Sequence, residues 1–246
     1  MDGALGGRAG TDSGTAGDAR VQPLTDGAGR VVRTIDVANA SELVLAGAAR
    51  IGSAELDLTP ETKNIAGAAY VPTRYALSAT TSFLVSFSFR LYGSSGPKGD
   101  GFAFLWQNDP RGTSALGAAG GGLGYSGITP SVVVEFDVQA NSYDAGPNRI
   151  SITTDGQYMT AIGDAPSPVP LSDGNTHYAW IEYNGATRTL SVDVGSTPTR
   201  PTTGTVSATV DLAATVGSSA YIGFTAACGS ATEVNAIESF SIGYFP

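Results

Sequence analysis

The chain has 246 residues, with 13 basic and 22 acidic side chains, so its formal net charge at pH 7 is −9. This acidic balance disfavours a nucleic-acid partner, because binding a phosphate backbone requires a basic surface. The 33 glycines and 13 prolines disfavour long helices, since both residues destabilise helix interiors. The single cysteine excludes an intrachain disulfide. No apolar run reaches the length of about 20 residues that a membrane-spanning helix needs, so membrane insertion is not expected.

Residues 1–33 are predicted to form a flexible arm rich in glycine and alanine. The arm contains too few apolar side chains to offset the entropy lost on ordering. Docking of the arm onto a partner or a neighbouring subunit stays open, and with it a homo-oligomer held by the arm. Residues 34–246 are expected to form one domain.

Short strands separated by turns are predicted throughout this domain. Apolar side chains occupy every second position of the run FLVSFSFRLY, residues 83–92, and this period of two is typical of a half-buried strand. Similar patterns recur in GFAFLWQ, HYAWIEY, TRTLSVDV, AYIGFTA and AIESFSIGYF. The Asn184-Gly185 pair predicts a hairpin. Many strands without a helical period favour an all-β, antiparallel sandwich or jelly roll.

The segment SVVVEFDVQANSYDAGPNRISI, residues 131–152, is the most informative. In an extended strand Glu135 and Asp137 project from the same face, where like charges repel and raise each other's pKa unless a cation or a hydrogen-bond donor intervenes. Asn141 and Asp144 follow in a short loop. Carboxylate, amide and carbonyl oxygens are the ligands that Ca²⁺ prefers. A solvent-facing strand followed by an Asx-rich turn is the alternative that the spacing leaves open.

Two glycine-containing segments precede this strand. Asp100 lies between glycines directly before the run FAFLW, which by itself predicts a turn. Residues 117–125, GAAGGGLGY, lack the Lys-Ser/Thr pair of a phosphate-binding loop. Their glycines would instead allow the backbone to approach a ligand or another loop closely.

Together, in this order, the segments resemble those of the legume-type (L-type) lectin family, in a bacterial-like form. The resemblance covers about residues 34–246 and rests on five segments: GDGFAF, QNDPRGTSALGAAGGGLGY, VVVEFDVQANSYDAGPNRISI, DGNTHYAWIEYNGATRTLSV and YIGFTAACG with EVNAIESFSI. It implies a concanavalin-like jelly-roll sandwich that binds glycans through a Ca²⁺-ordered loop without catalysis. It also implies a secreted or cell-surface protein.

The resemblance further implies individual site residues. The metal ligands would be Glu135, Asp137, Gln139 through its backbone carbonyl, Asn141 and Asp144, with Glu135 facing the family's second, transition-metal position. Asp100 would accept hydrogen bonds from sugar hydroxyls, after a cis peptide from Gly99. The carbohydrate-binding set would be Asp100, Gly121, Asn141, Cys228, Gly229 and Ser230.

Two departures from the family pattern bear on these roles. Arg149 stands where the family has its transition-metal histidine, and arginine cannot lose a proton to become a ligand. We therefore expect one Ca²⁺ with a weakened or lost second site, and Arg149 could neutralise Glu135 instead. Gln139 stands where many members stack an aromatic side chain on the sugar, a loss for which Tyr143 or Trp106 could compensate.

The other conspicuous side chains are expected to be structural. His177 is the only histidine in the chain, and a Ser-His-Asp hydrolase would need it beside a nucleophile elbow that the sequence lacks. Cys228 is expected to be a small, partly buried side chain. Trp106 and Trp180 fall in apolar strands and are expected to lie in the core.

Two other functions stay open. A jelly-roll glycosidase would use Glu135 and Asp137, but the third position of its motif holds Gln139 or Ala140, which cannot protonate a leaving group. Retaining hydrolysis needs two carboxyl groups flanking the bond. The other alternative is a structural or assembly protein with a lectin-like fold, whose arm links subunits.

Overall fold

The computed structural model describes residues 33–246, so residues 1–32 of the predicted arm lie outside it. Arg33, which we assigned to the arm, already lies in the first strand. The described chain forms two antiparallel sheets of eight strands each. The all-β prediction is confirmed.

The two sheets are called the front and back sheets below. The front sheet contains β2 (Val44–Gly47), β5 (Ile65–Tyr70), β6 (Tyr75–Ala76), β8 (Gly101–Gln107), β9 (Ser131–Asp137), β10 (Arg149–Thr154), β11 (Gly163–Pro166) and β15 (Ser219–Cys228). The back sheet contains β1 (Arg33–Ile35), β3 (Arg50–Ile51), β4 (Leu56–Thr59), β7 (Ser82–Tyr92), β12 (His177–Asn184), β13 (Thr189–Gly195), β14 (Val206–Thr209) and β16 (Val234–Phe245). Helical structure in residues 33–246 is limited to α1 (Leu212–Val216) and the 3₁₀ turns Gly112–Ser114 and Gly120–Gly122.

Strands distant in sequence are neighbours in both sheets. The front order is β11-β10-β9-β8-β15-β5-β2, with β6 also paired to β15. The back order is β14-β13-β12-β7-β16-β4-β3, with β1 also paired to β16. The predicted hairpin joins β12 to β13, where Asn184 pairs with Thr189. No helix within residues 33–246 has both the length and the apolar character to cross a membrane.

The main core lies between the sheets and is rich in phenylalanine. On β7 the side chains of the predicted apolar face are all fully buried: Phe83, Val85, Phe87, Phe89 and Leu91. The Phe87 ring meets Phe136 and Phe224 edge-on, with centroids 5.5 and 5.0 Å apart, a geometry that aromatic rings favour. Trp106 is buried in this core, whereas Trp180 pairs with Tyr178 in a small cluster of their own.

A second apolar layer covers part of the front sheet's outer face. The chain between β8 and β9 folds back over the sheet and packs Leu123, Tyr125 and Ile128 against residues such as Leu105 and Val133. This layer brings the glycine-rich turn next to the C-terminal end of β9. It therefore positions the segments that carry the candidate site.

Candidate functional site

The paired carboxylates lie at the C-terminal end of β9. Val134 and Phe136 point into the main core, while Glu135 and Asp137 lie on the opposite, outer face. The predicted division of faces is therefore confirmed. Both carboxylates are buried, with only 6% and 9% of Glu135 and Asp137 exposed, because the neighbouring loops cover this end of the sheet.

Glu135 has one close partner, the Tyr125 hydroxyl, which donates a hydrogen bond to Oε1. The same hydroxyl lies 3.1 Å from Oγ1 of Thr153. Burial raises the pKa of Glu135 to about 7; the Tyr125 hydrogen bond opposes this shift, and the charge on Asp144 adds to it. Burial thus makes the Glu135 carboxyl group costly to ionise.

The pKa of Asp137 is raised further above its ordinary value than the pKa of Glu135. Its Oδ1 accepts the backbone N–H of Gln139 at 3.0 Å. Burial raises the pKa of Asp137 to about 8, with further upward contributions from Asp144 and Glu135. None of the ion pairs within residues 33–246 joins Glu135 or Asp137 to a lysine or an arginine.

The loop after β9 folds the remaining predicted metal ligands onto one another. The Asn141 backbone N–H donates to Oδ2 of Asp144 at 2.6 Å, and the Asn141 side-chain Nδ2 donates to the Gln139 carbonyl oxygen at 3.2 Å. The Asp144 N–H returns a bond to the Asn141 carbonyl at 3.1 Å. The structure therefore brings Gln139, Asn141 and Asp144 together beside the end of β9.

Arg149 does not neutralise Glu135, so that expectation is wrong. Arg149 is the ladder partner of Asp137, but its guanidinium turns away to Asp164, whose Oδ1 accepts from Nε at 2.7 Å. Asp164 lies on β11, and Ser151 also donates to its Oδ1 at 2.9 Å. The register of β10 with β11 decides this pairing, because it sets the acidic side chain beside the arginine.

These residues fit a hard cation by their chemistry. No group of three or more His, Cys, Asp or Glu side chains within residues 33–246 forms a metal centre by itself. The predicted calcium ligands include only two such side chains, Asp137 and Asp144. The other predicted ligands are the amide oxygen of Asn141 and the backbone carbonyl oxygen of Gln139. An all-oxygen set is what Ca²⁺ prefers, and the buried carboxylates of β9 lack a cation of the chain's own.

Asp100 lies beside this cluster, directly before β8. A cis peptide joins it to Gly99, as the family resemblance implied. The Gly229 N–H donates to Oδ2 of Asp100, and the Asp100 N–H donates to the Ala227 carbonyl at 3.1 Å. Burial raises the pKa of Asp100, and the Gly229 hydrogen bond opposes this shift.

Gly121, in the glycine-rich turn, lies against the loop after β9. A Cβ at this position would lie 2.4 Å from the Tyr143 hydroxyl and 2.9 Å from Asn141 Nδ2, so there is no room for a side chain. A Cβ on Gly229 would lie 3.0 Å from the Gly120 Cα. The structure thus gathers Asp100, Gly121, Asn141 and Gly229 at one end of the front sheet.

Other predicted residues contribute less directly. Cys228 is fully buried and its thiol donates to the Glu233 carbonyl at 3.3 Å, so its predicted contact with a sugar is not supported. Ser230 is exposed at the loop tip. Trp106 is fully buried and cannot replace the missing stacking aromatic. His177 is buried, with Nε2 2.9 Å from Oδ1 of Asp173, consistent with its expected structural role.

Two important side chains escaped the sequence reasoning. Tyr125 reaches Glu135 only because the loop folds back over the sheet; its position at the end of the glycine-rich run is the sole sequence signal. Glu233 is fully buried behind the site. Its Oε2 accepts a hydrogen bond from Ser172, while its Oε1 has no partner. Burial raises the pKa of Glu233 to about 7.

Comparison with known families decides the assignment. The legume lectin domain model matches residues 35–244, which is nearly the whole described chain. The chain belongs to the legume lectin family. This family assignment covers β1 to β16 and includes every candidate site residue described above.

Relatives of known sequence agree with the family assignment. The chain is 31% identical over 217 residues to L-type lectin-domain containing receptor kinase VIII.1 of Arabidopsis thaliana, covering 82% of this chain and 30% of the kinase. It is 30% identical over 214 residues to a seed lectin of Styphnolobium japonicum, covering 79% and 70% of the two chains. The legume lectin chain thus spans 27–30% of the length of three receptor kinases that it matches.

Solved structures agree with the fold. The basic winged bean lectin with Tn-antigen is 27% identical, with a TM-score of 0.73 over 87% of this chain and 98% of that one. The lectin from Bauhinia forficata in complex with GalNAc is 23% identical and superposes with a TM-score of 0.75 over 87% and 97% of the two chains. The predicted jelly-roll sandwich is confirmed.

Proposed function

We propose that this legume lectin is a non-catalytic, calcium-dependent carbohydrate-binding protein that recognises sugar hydroxyls beside the loop after β9. The observation that carries the proposal is the meeting of Asp100, Gly121 and Asn141 at the sheet end where Glu135 and Asp137 lie buried with no ion-pair partner among residues 33–246. Buried charges of one sign are costly. An acidic site of this kind supports both a bound cation and the acceptance of sugar hydroxyls.

Asp137, Asn141, Asp144 and the Gln139 carbonyl would hold Ca²⁺. When bound, the ion supplies positive charge that offsets the repulsion between these carboxylates. The transition-metal position next to Glu135 is proposed to be weak or lost, because Arg149 brings no ligand atom and Tyr125 already bonds the Glu135 carboxylate.

Each residue of the sugar site has a separate task. Gly229 fixes Oδ2 of Asp100, which leaves Oδ1 to accept from a sugar hydroxyl. Gly121 has no side chain, so its backbone can approach the ligand closely. Asn141 is held by the loop that it shares with Asp144 and can contact both the cation and the sugar. No step in this account breaks or forms a covalent bond.

Glycans or glycoconjugates are therefore the proposed partners, and the protein is expected to act outside the cell or at its surface. A homo-oligomer held by the arm remains a prediction, because residues 1–32 lie outside the described part. The similar structures carry GalNAc, Tn-antigen and methyl-α-D-galactose, which makes GalNAc and methyl-α-D-galactose suitable first probes.

A glycan array with added CaCl₂ or with EDTA, followed by titration with these two sugars, tests the function. We expect a chelator-sensitive signal. Asp100→Asn should weaken binding at least about tenfold, because a hydrogen bond to a charged acceptor contributes roughly 1.5–3 kcal/mol. Gly121→Ala should weaken it as well, since the added methyl group meets Tyr143 and Asn141. Asp36→Asn, at an exposed position before β2, is the matched control and should bind normally.

Two results would contradict the proposal in different ways. Equal glycan signals with and without EDTA would reject the calcium dependence. Calcium binding with no signal for any glycan would reject the lectin function and favour the structural or assembly alternative.

A further inference from the structure

A groove of about 480 Å³ lies beside the proposed sugar site and has no role in the account above. Its size falls within the range of about 300–1,000 Å³ that is usual for small-ligand sites. Val138 lies on its floor, and the Val138 N–H donates to the Asp100 carbonyl at 2.9 Å. The groove is therefore continuous with the strand end that carries Asp100.

Half of the eight residues that line the groove are apolar and half are polar. Val138, Val169 and two prolines supply apolar surface, and Asn148 is fully engaged in bonding the 169–171 backbone. Lys98 is the only charged residue in the lining. It stands two residues before Asp100, so one segment forms a wall of both sites.

Lys98 is held in place but is not neutralised. Its Nζ donates to the Ser172 carbonyl at 2.6 Å, and an ammonium group has two further donors. No ion pair within residues 33–246 includes Lys98. The Lys98 ammonium group therefore keeps two N–H donors that have no partner among residues 33–246.

Ser172 also contacts Glu233, which is fully buried and does not line the groove. Its Oε2 accepts from the Ser172 hydroxyl. Burial raises the pKa of Glu233 to about 7; Lys98 lowers it and Asp100 raises it in turn. Ser172 therefore lies between the two groups, with its carbonyl oxygen on Lys98 and its hydroxyl on Glu233, and no ion pair within residues 33–246 joins Lys98 to Glu233.

We propose that the groove binds a negatively charged residue of a glycan whose neighbouring sugar contacts Asp100, with Lys98 as its cationic contact. A carboxylate and a sulfate share the necessary chemistry, namely an anion that accepts from an ammonium group. The apolar floor would pack against the carbon face of the same sugar ring. This inference rests on the proposed lectin function for its first sugar.

The first test compares matched glycans on the full chain with saturating Ca²⁺: lactose, 3′-sialyllactose and 3′-sulfolactose, together with the other neutral and charged pairs of an array. We expect charged members to bind about fivefold tighter, as for a partly exposed ion pair, and this gain to shrink in high salt. Lys98→Met should remove the gain without weakening neutral glycans, and Lys98→Arg should keep it. Arg188→Met, at an exposed arginine paired with Asp211, controls for net charge.

A second test does not depend on the first sugar. The chain contains only two lysines, Lys63 and Lys98, so protein labelled with ¹³C at lysine Cε gives two assignable signals. Titration with methyl glucuronide or methyl sulfate should shift the Lys98 signal and leave the Lys63 signal in place. Neutral methyl glucoside should shift neither.

The outcomes separate the two proposals. Charged glycans that bind no better than neutral ones, together with an unmoved Lys98 signal, would overturn the groove assignment while leaving the lectin function intact. A Lys98 shift with the anions but no neutral glycan bound would support the groove and reject the lectin function. A response to only one of the two anions would identify carboxylate or sulfate as the group recognised.

Discussion

The acidic side chains of β12 and β13 on the back sheet and those of β9 on the front sheet differ in their partners. On the back sheet, Arg200 bridges two carboxylates, with its Nε 2.6 Å from Oδ2 of Asp193 and its Nη1 3.0 Å from Oε2 of Glu182. On the front sheet, Glu135 and Asp137 are buried at the end of β9 and no ion pair within residues 33–246 includes them.

Arg90 repeats the back-sheet arrangement. Its Nη2 lies 3.0 Å from Oε2 of Glu55, and its Nε lies 3.1 Å from Oε1 of Glu238. The chain thus holds an arginine in ion-pair contact with these back-sheet acids, whereas Arg149 of the front sheet pairs with Asp164 and acts on Asp137 only at longer range. This difference in ion-pair contacts supports the proposal that the β9 carboxylates take their cation from outside the chain.

Calcium removal should give the largest effect. Ligand at one hundred times its dissociation constant stabilises a protein by about 2.7 kcal/mol, so we expect Ca²⁺ to raise the free energy of unfolding by roughly that amount. Asp137→Asn should abolish this response and, in EDTA, should be at least as stable as wild type, because it removes one buried charge. Chemical denaturation with and without Ca²⁺ measures both. A full calcium response in Asp137→Asn would contradict the proposal that the β9 carboxylates bind the cation.

Glu233 should give the next effect, because it has neither an arginine nor a place in the cation site. Its pKa rises from 4.5 to about 7 on folding, so its contribution is fully present below pH 4.5 and is lost as the pH rises through 7. The loss is at most about 3 kcal/mol, from 1.36 kcal/mol per pKa unit. Glu233→Gln should therefore flatten the decline in stability between pH 5 and 8.

That measurement should be made in saturating Ca²⁺, so that the β9 carboxylates do not titrate over the same range. Stability of wild type that is constant from pH 5 to 8, or an equal decline in Glu233→Gln, would show that the buried carboxyl does not behave as the structure implies.

On the back sheet, Arg200→Met should destabilise the fold by about 2 kcal/mol, between the values for exposed and buried pairs. The cause is the loss of the cation beside Asp193, which is only 5% exposed. The double variant Arg200→Met/Asp193→Asn should recover much of this loss. The calcium response should stay unchanged in both, and thermal unfolding with added Ca²⁺ checks this. A weakened calcium response would mean that the two acidic regions are not independent.

The smallest effect is expected at Arg149. Arg149→His removes a partly exposed pair with Asp164, which should cost less than about 1 kcal/mol. It also places an imidazole where the family has its transition-metal ligand. We expect calcium-saturated Arg149→His to bind Mn²⁺ more tightly than wild type in a calorimetric titration. Identical Mn²⁺ binding by the two proteins would show that more than this side chain separates the chain from the family's second site.

Much of the fold was predictable because its signals are local. Alternating side chains in β7 and β9 predict which face points into the main core, and the core confirms both assignments. The order of the segments around Asp100 and Asn141 was enough for the family resemblance. A period of two depends only on neighbouring residues.

Other features depend on contacts that no local pattern carries. Arg149 pairs with Asp164 and not with Glu135 because of the register between β10 and β11. Tyr125 reaches Glu135 because a long loop folds over the sheet. Glu233 sits in a stretch with no pattern of its own, and only three-dimensional packing shows that its carboxyl is buried.

The most direct test of the central claim is a calorimetric titration of Ca²⁺ into metal-stripped protein, with Asp137→Asn and Asp36→Asn as the paired variants. We predict one Ca²⁺ per chain for wild type and for Asp36→Asn, and no binding for Asp137→Asn. Absence of Ca²⁺ binding to wild type, or Ca²⁺ binding that persists in Asp137→Asn, would contradict the proposal that Asp137 of β9 is a calcium ligand.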